Sequence, residues 1–244
     1  MNSKVSILKY TEYGPESVQK AVTAAIDSFG GIAYLIKPGG KMLVKPNLLM
    51  ATEPEAGVTT HPEVVRAVIK TLKTINCSIF LRDGPSIWGA QSEKVDEVYE
   101  KSGMSKIVKE EGITLVTFEK KRRREKFPLT TWIDTCDALV NVPKFKTHEL
   151  MLLTGAIKNL YGLVWGTYKS EIHKKYFNNA DFAKIIVDIY QGVRPCLTVV
   201  DRIVAMEGNE PSTRSTLRNL RLILASTDCV ALILLPIIKT GISN

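Results

Sequence analysis

Short apolar runs rich in β-branched residues alternate along the chain with segments of helical period. That alternation is the pattern of βα units laid around a parallel sheet. Candidate strands are Val5 to Leu8, Met42 to Val44, Ile79 to Leu81, Thr114 to Phe118, Ala138 to Val142, Leu197 to Val200 and Leu222 to Ala225. Helical spacing falls between them over Pro15 to Phe29, Pro62 to Thr74, Ser92 to Ser102, Ser105 to Glu111, Gly155 to Leu163 and Ala180 to Tyr190. The last puts Phe182, Ile185, Ile186 and Ile189 on one face, with Asn178 or Asn179 as cap and Gly192 then Pro195 as stop. The helix from Pro62 follows Thr60-His61, which predicts a Thr60 cap with Glu63 reaching back and leaves His61 without a structural duty. The expected fold is α/β, a mainly parallel sheet of about seven strands with helices on both faces. No repeat or composition break divides the 244 residues, so a single domain over 1–244 is expected.

Composition adds bounds rather than chemistry. With 45% apolar and 24% charged residues the chain has ordinary globular usage and enough apolar side chains for a sizeable core. Met1-Asn2-Ser3-Lys4 leads straight into the first strand without the apolar core of a signal peptide. The most apolar stretch, Cys229 to Ile238, is interrupted by Pro236 and falls short of the ~18 residues of a membrane span. A cytoplasmic protein with a buried C-terminal segment and no membrane span is the expectation. Cys77, Cys136, Cys196 and Cys229 form no C-x-x-C pair, so no zinc ribbon or iron–sulfur cluster motif is written and no cofactor is specified. Free core thiols are expected.

Charge changes the picture more. Against 25 Asp and Glu stand 33 Lys and Arg, a formal +8 that favours acidic partners. The densest run, Lys120-Lys121-Arg122-Arg123-Arg124, contains no aromatic residue and sits in no nucleic-acid module. It reads as a solvated loop between two strand-like pieces, and nucleic acid is disfavoured as a partner.

Ligands of open α/β sheets sit outside the carboxyl ends of the strands, so the residues just after each strand carry the candidate chemistry. Met42 to Val44 runs into Lys45-Pro46-Asn47, Ile79 to Leu81 into Arg82-Asp83-Gly84, Ala138 to Val142 into Pro143-Lys144-Phe145-Lys146-Thr147-His148, and Leu197 to Val200 into Asp201. If 144–148 stay extended, Lys144, Lys146 and His148 point to one side and Phe145 and Thr147 to the other. Three potentially cationic groups on one wall are costly without an anion, so the wall reads as a binding site. The helix start at Gly155, with Lys158 and Asn159 on its first turn, adds backbone N–H groups suited to phosphate or carboxylate. Each residue also has a plainer reading. Lys144 and Lys146 suit an exposed loop, Asp83-Gly84-Pro85 and Asn47 suit turns, and Asp201 suits a pair with Arg202 or a loop amide. His61 and His148 are the candidates for moving a proton. No H-x-x-H or H-E-x-x-H spacing supports a metal, and none is assigned.

Taken in order, Lys45-Pro46-Asn47-Leu48, Thr59-Thr60-His61-Pro62, Asp83-Gly84-Pro85, Asn141 to His148, Thr154-Gly155-Ala156-Ile157-Lys158-Asn159, Asp201-Arg202-Ile203 and Met206-Glu207-Gly208 resemble the domain of unknown function 362 family. The stretch from Asn141 to Asn159 is the most specific part. The resemblance implies a bacterial or archaeal cytoplasmic protein, and members are often joined to a ferredoxin-like domain carrying iron–sulfur clusters. After Ser226 to Leu232 the family pattern has another Asp and a further helical region, whereas this chain reads Ile233-Leu234-Leu235-Pro236 and stops at Asn244, as a truncated or shortened relative would.

Two functional readings follow. In the first, a small phosphorylated or carboxylated ligand is held by Lys45, Asn47, Asp83, Lys144, Lys146, Gly155, Lys158, Asn159 and Asp201, with His61 or His148 as acid–base group, in an enzyme or cofactor-handling protein. In the second, the chain docks a separate iron–sulfur protein through its basic surface.

Overall fold

The computed structural model describes residues 3–10, 12–84, 92–117, 121–124, 127–148, 152–166, 168–176, 178–207 and 216–240, without the side chains of 92–94, 121–124, 147–148, 152–154, 173, 206–207, 216 and 235–240. In chain order the elements are β1 (Ser6–Lys9), α1 (Pro15–Asp27), α2 (Ile32–Leu35), β2 (Lys41–Pro46), a 3-10 turn (Pro54–Ala56), α3 (Pro62–Lys73), β3 (Ser78–Leu81), α4 (Ser92–Lys101), α5 (Met104–Glu110) and β4 (Thr114–Leu115). They continue with β5 (Lys121–Arg124), β6 (Phe127–Thr130), α6 (Trp132–Thr135), β7 (Ala138–Val142), β8 (Lys144–His148), β9 (Leu152–Thr154), α7 (Ala156–Asn159), a second 3-10 turn (Leu160–Leu163), α8 (Tyr168–Lys175), α9 (Asn179–Val193), β10 (Leu197–Glu207), β11 (Thr216–Ser226) and α10 (Cys229–Thr240).

One nine-stranded sheet runs β1-β11-β10-β7-β2-β3-β4, with β8 paired to β10 and β9 to β8. It is mixed, which corrects the expectation of a mainly parallel sheet. The pairs from β10 through β7, β2 and β3 to β4 are parallel, whereas β1 with β11, β11 with β10 and β8 with β9 are antiparallel. Apolar periodicity marks a strand but carries no direction, so the reversal at β10 and β11 could not be read from it.

The register of side chains divides the core in two. Met42, Val44, Val140, Val142 and Val199 pack on one face with Val18 and Val22 of α1 and Val65, Ile69 and Leu72 of α3. Leu43, Leu139, Val200 and Leu224 pack on the other with Ile157 of α7, Phe182 and Ile186 of α9 and Leu232 of α10. Strand alternation makes this division, because neighbours along a strand point to opposite faces.

Helix ends follow local chemistry. Pro15 and Pro62 stand at the first positions of α1 and α3, where a missing N–H costs nothing. The Asn178 side chain caps α9 by accepting the Ala180 N–H at 2.8 Å. That helix runs through Gly192 to Val193, three residues past the predicted Tyr190, and ends with Arg194 at φ 39° ahead of Pro195. The predicted helix over Gly155 to Leu163 is instead the short α7 followed by the 3-10 turn. The basic run corrects another expectation, since Lys121–Arg124 is a strand paired antiparallel with Phe127–Thr130 rather than a loop. Cys229 to Ile238, expected as a buried segment, lies within α10. No helix among the described residues is long and apolar enough to cross a membrane.

Candidate functional site

The strand-end residues form two clusters on opposite faces of the sheet. The sequence reading had gathered them into one crevice. Lys45, in the same alternation as Leu43, and Asn141, in the same alternation as Leu139, are register partners on the α7 face. Lys144 and Asp201, also register partners, turn to the α1 and α3 face. The alternation runs unbroken through Pro143: Leu139, Asn141 and Phe145 share the α7 face, and Val140, Val142 and Lys144 the other.

On the α7 face, Lys45 Nζ meets Asp83 Oδ1 at 2.6 Å, the Pro46 carbonyl at 3.1 Å and Asn159 Oδ1 at 3.2 Å. The other oxygen of Asp83 accepts the Leu48 N–H at 2.7 Å. Asn159 is the hub of the rest: its Oδ1 accepts Asn47 Nδ2 at 3.2 Å, and its Nδ2 reaches Asn141 Oδ1 at 2.8 Å and the Lys45 and Pro46 carbonyls. Gly162 closes over the ion pair, and a Cβ there would stand 2.3 Å from Asp83 Oδ1 and 2.6 Å from Lys45 Nζ. Tyr99 fixes the backbone of Asp83, donating to its carbonyl and accepting its N–H. Burial draws the Lys45 ammonium below the usual lysine value, with Asp83 pulling it back. Lys169 donates to the Gly84 carbonyl at 2.8 Å, and burial lowers its pKa to about 8, with Asp83 raising it and Lys45 and Arg82 lowering it further.

On the α1 and α3 face, Asp201 accepts from Lys144 Nζ at 2.9 Å, Tyr13 OH at 2.8 Å, the His61 N–H at 2.9 Å and the Ile203 N–H at 3.3 Å. Tyr13 also accepts from Lys144 at 2.8 Å and from the Val204 N–H at 3.1 Å, and its ring stacks on His61 at 3.7 Å. Burial is the largest cause that holds the Tyr13 phenol above the usual tyrosine value, and the Asp201 carboxylate adds to it. His61 is itself the cap of α3, its Nδ1 accepting the Glu63 N–H at 3.2 Å, which corrects the reading that gave the cap to Thr60 and no duty to His61. With Nδ1 taken, the ring proton sits on Nε2. Burial lowers the His61 pKa to about 4, Asp201 and Glu55 opposing and Lys144 reinforcing, so the ring is neutral near pH 7. Thr60 instead accepts the Asn47 N–H and donates to the Val142 carbonyl.

Several expectations change accordingly. Lys144 is not an unpaired cation awaiting an anion, because Asp201 neutralises it, and Lys146 is buried with its amine on the Val58 carbonyl. Lys144 and Lys146 do share one side while Phe145 packs on the other, as alternation requires. Gly155 has extended backbone and room for a Cβ, whose nearest neighbour would be Ile233 at 3.8 Å, so no close approach demands glycine there. Lys158 stands half-buried on a four-residue helix, too short to gather the N–H groups expected of it. The His148 side chain, like that of His173, lies outside the described residues. Asp201 pairs with Lys144 rather than with Arg202.

Tyr13, Arg82, Asn141, Gly162 and Lys169 belong to these clusters and were not singled out from sequence. Asn141 could have been found by its parity with Lys45 in register, but Tyr13 in a loop, Gly162 in the second 3-10 turn and Lys169 in α8 are remote in sequence and carry no local pattern. Among the described residues no three His, Cys, Asp or Glu side chains converge as metal ligands. The cysteines are free, and burial raises the Cys136, Cys196 and Cys229 thiols to about 11, 12 and 11.

Comparison with known proteins fits this architecture. Residues 42–232 match the family model described as a domain of unknown function, number 362. A thylakoid-associated protein of Synechocystis is 30% identical over 239 residues, spanning 95% of this chain and 73% of its own. Among solved structures, the lactate racemase apoprotein from Thermoanaerobacterium thermosaccharolyticum superposes with a TM-score of 0.53 at 13% identity. That likeness covers 92% of this chain and 54% of the racemase, and at such identity it concerns the fold alone.

Proposed function

Because the chain belongs to the domain of unknown function 362 family, a membership that specifies no reaction, we propose from its side-chain chemistry that it binds a small anionic ligand. The ligand carries a phosphate or carboxylate and sits at the ends of β2 and β3 on the α7 face. There an enzyme or cofactor-handling protein would hold it. One observation carries the reading: among the described residues, the buried amine of Lys169 stands in the field of the cations Lys45 and Arg82 and of the Asp83 carboxylate, with its proton-donating end on the Gly84 carbonyl. Like charges gathered away from water are costly, and an anion relieves them. Two buried polar atoms on the adjoining loops, Asn47 Oδ1 and Thr59 Oγ1, have no hydrogen-bond partner, which suits a ligand that supplies donors.

In this reading Lys169 and Arg82 meet the negative charge, Lys45 is held in place by Asp83, and Asn47 and Asn159 orient the ligand's polar groups. Thermal melting with inorganic phosphate and with acetate tests it. A saturable rise in Tm that weakens at least tenfold in Lys169→Met is the expected result. No rise with either anion removes the reading.

A second reading draws on the β5–β6 strand pair, which sets Lys121–Arg124 in a strand apart from the main sheet, and on the thylakoid association of the relative. This pair would dock an acidic partner such as a separate iron–sulfur protein. Association that persists unchanged when Lys121 to Arg124 are neutralised rules it out.

A further inference from the structure

Arg202 has no part in either cluster. It follows Asp201 in β10 and therefore points to the opposite face, where its guanidinium carbon lies 4.2 Å from the centre of the Phe145 ring. The side chain is 2% exposed, as deeply buried as Lys45 and Lys144. Those two lysines have carboxylates at 2.6 and 2.9 Å. For Arg202, no carboxylate among the described residues is within reach, and its Nε has no hydrogen-bond partner. Burial draws its pKa below the usual arginine value with no acidic group opposing.

An aromatic ring offsets only part of what removal of a guanidinium from water costs. Phe145 covers one face of the planar group and leaves its edge, where parallel N–H donors match the two oxygens of a carboxylate or phosphate. The position is also separate from the first cluster. Thr198 is the register partner of Asn141, and Arg202 lies four residues further along β10. At the rise of an extended strand, ~3.3 Å per residue, that is about 13 Å.

We propose that Arg202 anchors a second anion site, in which the guanidinium edge takes the oxyanion of a small molecule, a carboxylate or phosphate, beside Phe145. The proposal rests on the unpaired guanidinium and stands apart from the reading of the Lys169 cluster.

The test is melting of the full chain in dilute Tris chloride, titrated with sodium phosphate or sodium acetate, for the unaltered protein, Arg202→Met, Arg202→Lys and Lys169→Met. Without added anion, Arg202→Met is expected to melt at or above the unaltered protein, since an uncompensated buried charge is replaced by an apolar chain of similar length. With anion, the unaltered protein gains Tm saturably. Arg202→Met loses that component, and Arg202→Lys keeps it with at least tenfold weaker half-saturation, having charge without the fork. Tighter response to acetate identifies a carboxylate ligand, and tighter response to phosphate a phosphorylated one. The proposal fails if Arg202→Met melts below the unaltered protein or does not fold, because a carboxylate of the chain itself then pairs with Arg202. It also fails if the response survives in Arg202→Met. A response lost in Lys169→Met but intact in Arg202→Met upholds the first cluster and removes the second site, and no response in the unaltered protein removes both.

Discussion

Lys45 Nζ and Asp83 Oδ1 are 2.6 Å apart, and the remaining oxygen of that carboxylate is spent on the Leu48 N–H. The pair is thus both an electrostatic unit and the tie between the ends of β2 and β3. Asp83→Asn leaves an ammonium buried without its counterion, and about 3–5 kcal/mol of stability is lost by urea unfolding. The double variant Lys45→Met with Asp83→Leu recovers most of that loss. Equal destabilisation in the single and double variants would show that the attraction between the two charges is not what matters there.

Gly162 is small because the ion pair fills the place of its side chain. With its Cβ at 2.3 Å from Asp83 Oδ1 and 2.6 Å from Lys45 Nζ, Gly162→Ala drives the 3-10 turn away from the strands and costs about 1–3 kcal/mol. Calorimetric melting checks the value. A neutral result means that the turn moves without resistance.

The hydroxyl of Tyr13 serves Asp201, Lys144 and the Val204 N–H together. Tyr13→Phe keeps the ring on His61 but strands these groups, and a loss of about 1–3 kcal/mol is expected in urea unfolding. Tyr13→Leu adds the loss of the stacked ring and is expected to be worse.

The His61 pKa of about 4, against 6.5 for an unfolded histidine, gives a signed pH dependence. The fold favours the neutral ring, so the contribution is whole above pH 6.5 and is lost as pH falls toward 4. Between pH 7 and 4.5 it amounts to about 2 kcal/mol. His61→Asn preserves the cap on the Glu63 N–H while removing the titration, so the difference in stability between the two proteins shrinks as pH falls through that window. A difference that stays constant from pH 7 to 4.5 contradicts this assignment.

Much of the architecture was legible because it rests on local periods. Short apolar runs located β2, β3 and β7 to within two residues, and the apolar stripe of α3 gave its span to within a residue. Strand direction was not legible. β10 reaches Glu207, well past the predicted Val200, because β11 pairs with it from Thr198 to Glu207 and β8 pairs with it at Asp201, and these partners keep polar residues such as Asp201 and Arg202 in a strand. The chemistry was half legible: Lys45, Asp83, Lys144 and Asp201 were all marked by standing at strand ends. The opposite faces of Asn141 and Lys144 follow from unbroken alternation through Pro143, whereas the partners that neutralise the charges are set by register. Lys169 and Gly162 arrive from a segment remote from β2 and β3 and leave no trace in the local pattern.

The two clusters are joined by one hydroxyl. Thr60 accepts the Asn47 N–H at 2.8 Å and donates to the Val142 carbonyl at 2.7 Å, while its own N–H reaches the Asn47 carbonyl at 2.9 Å. Asn47 belongs to the Asn159 hub on one side of the sheet, and the next residue, His61, is bonded through its N–H to Asp201 on the other. Any displacement of Asn47 would therefore pull on the first turn of α3, which makes the sheet a fulcrum rather than a partition between its two faces.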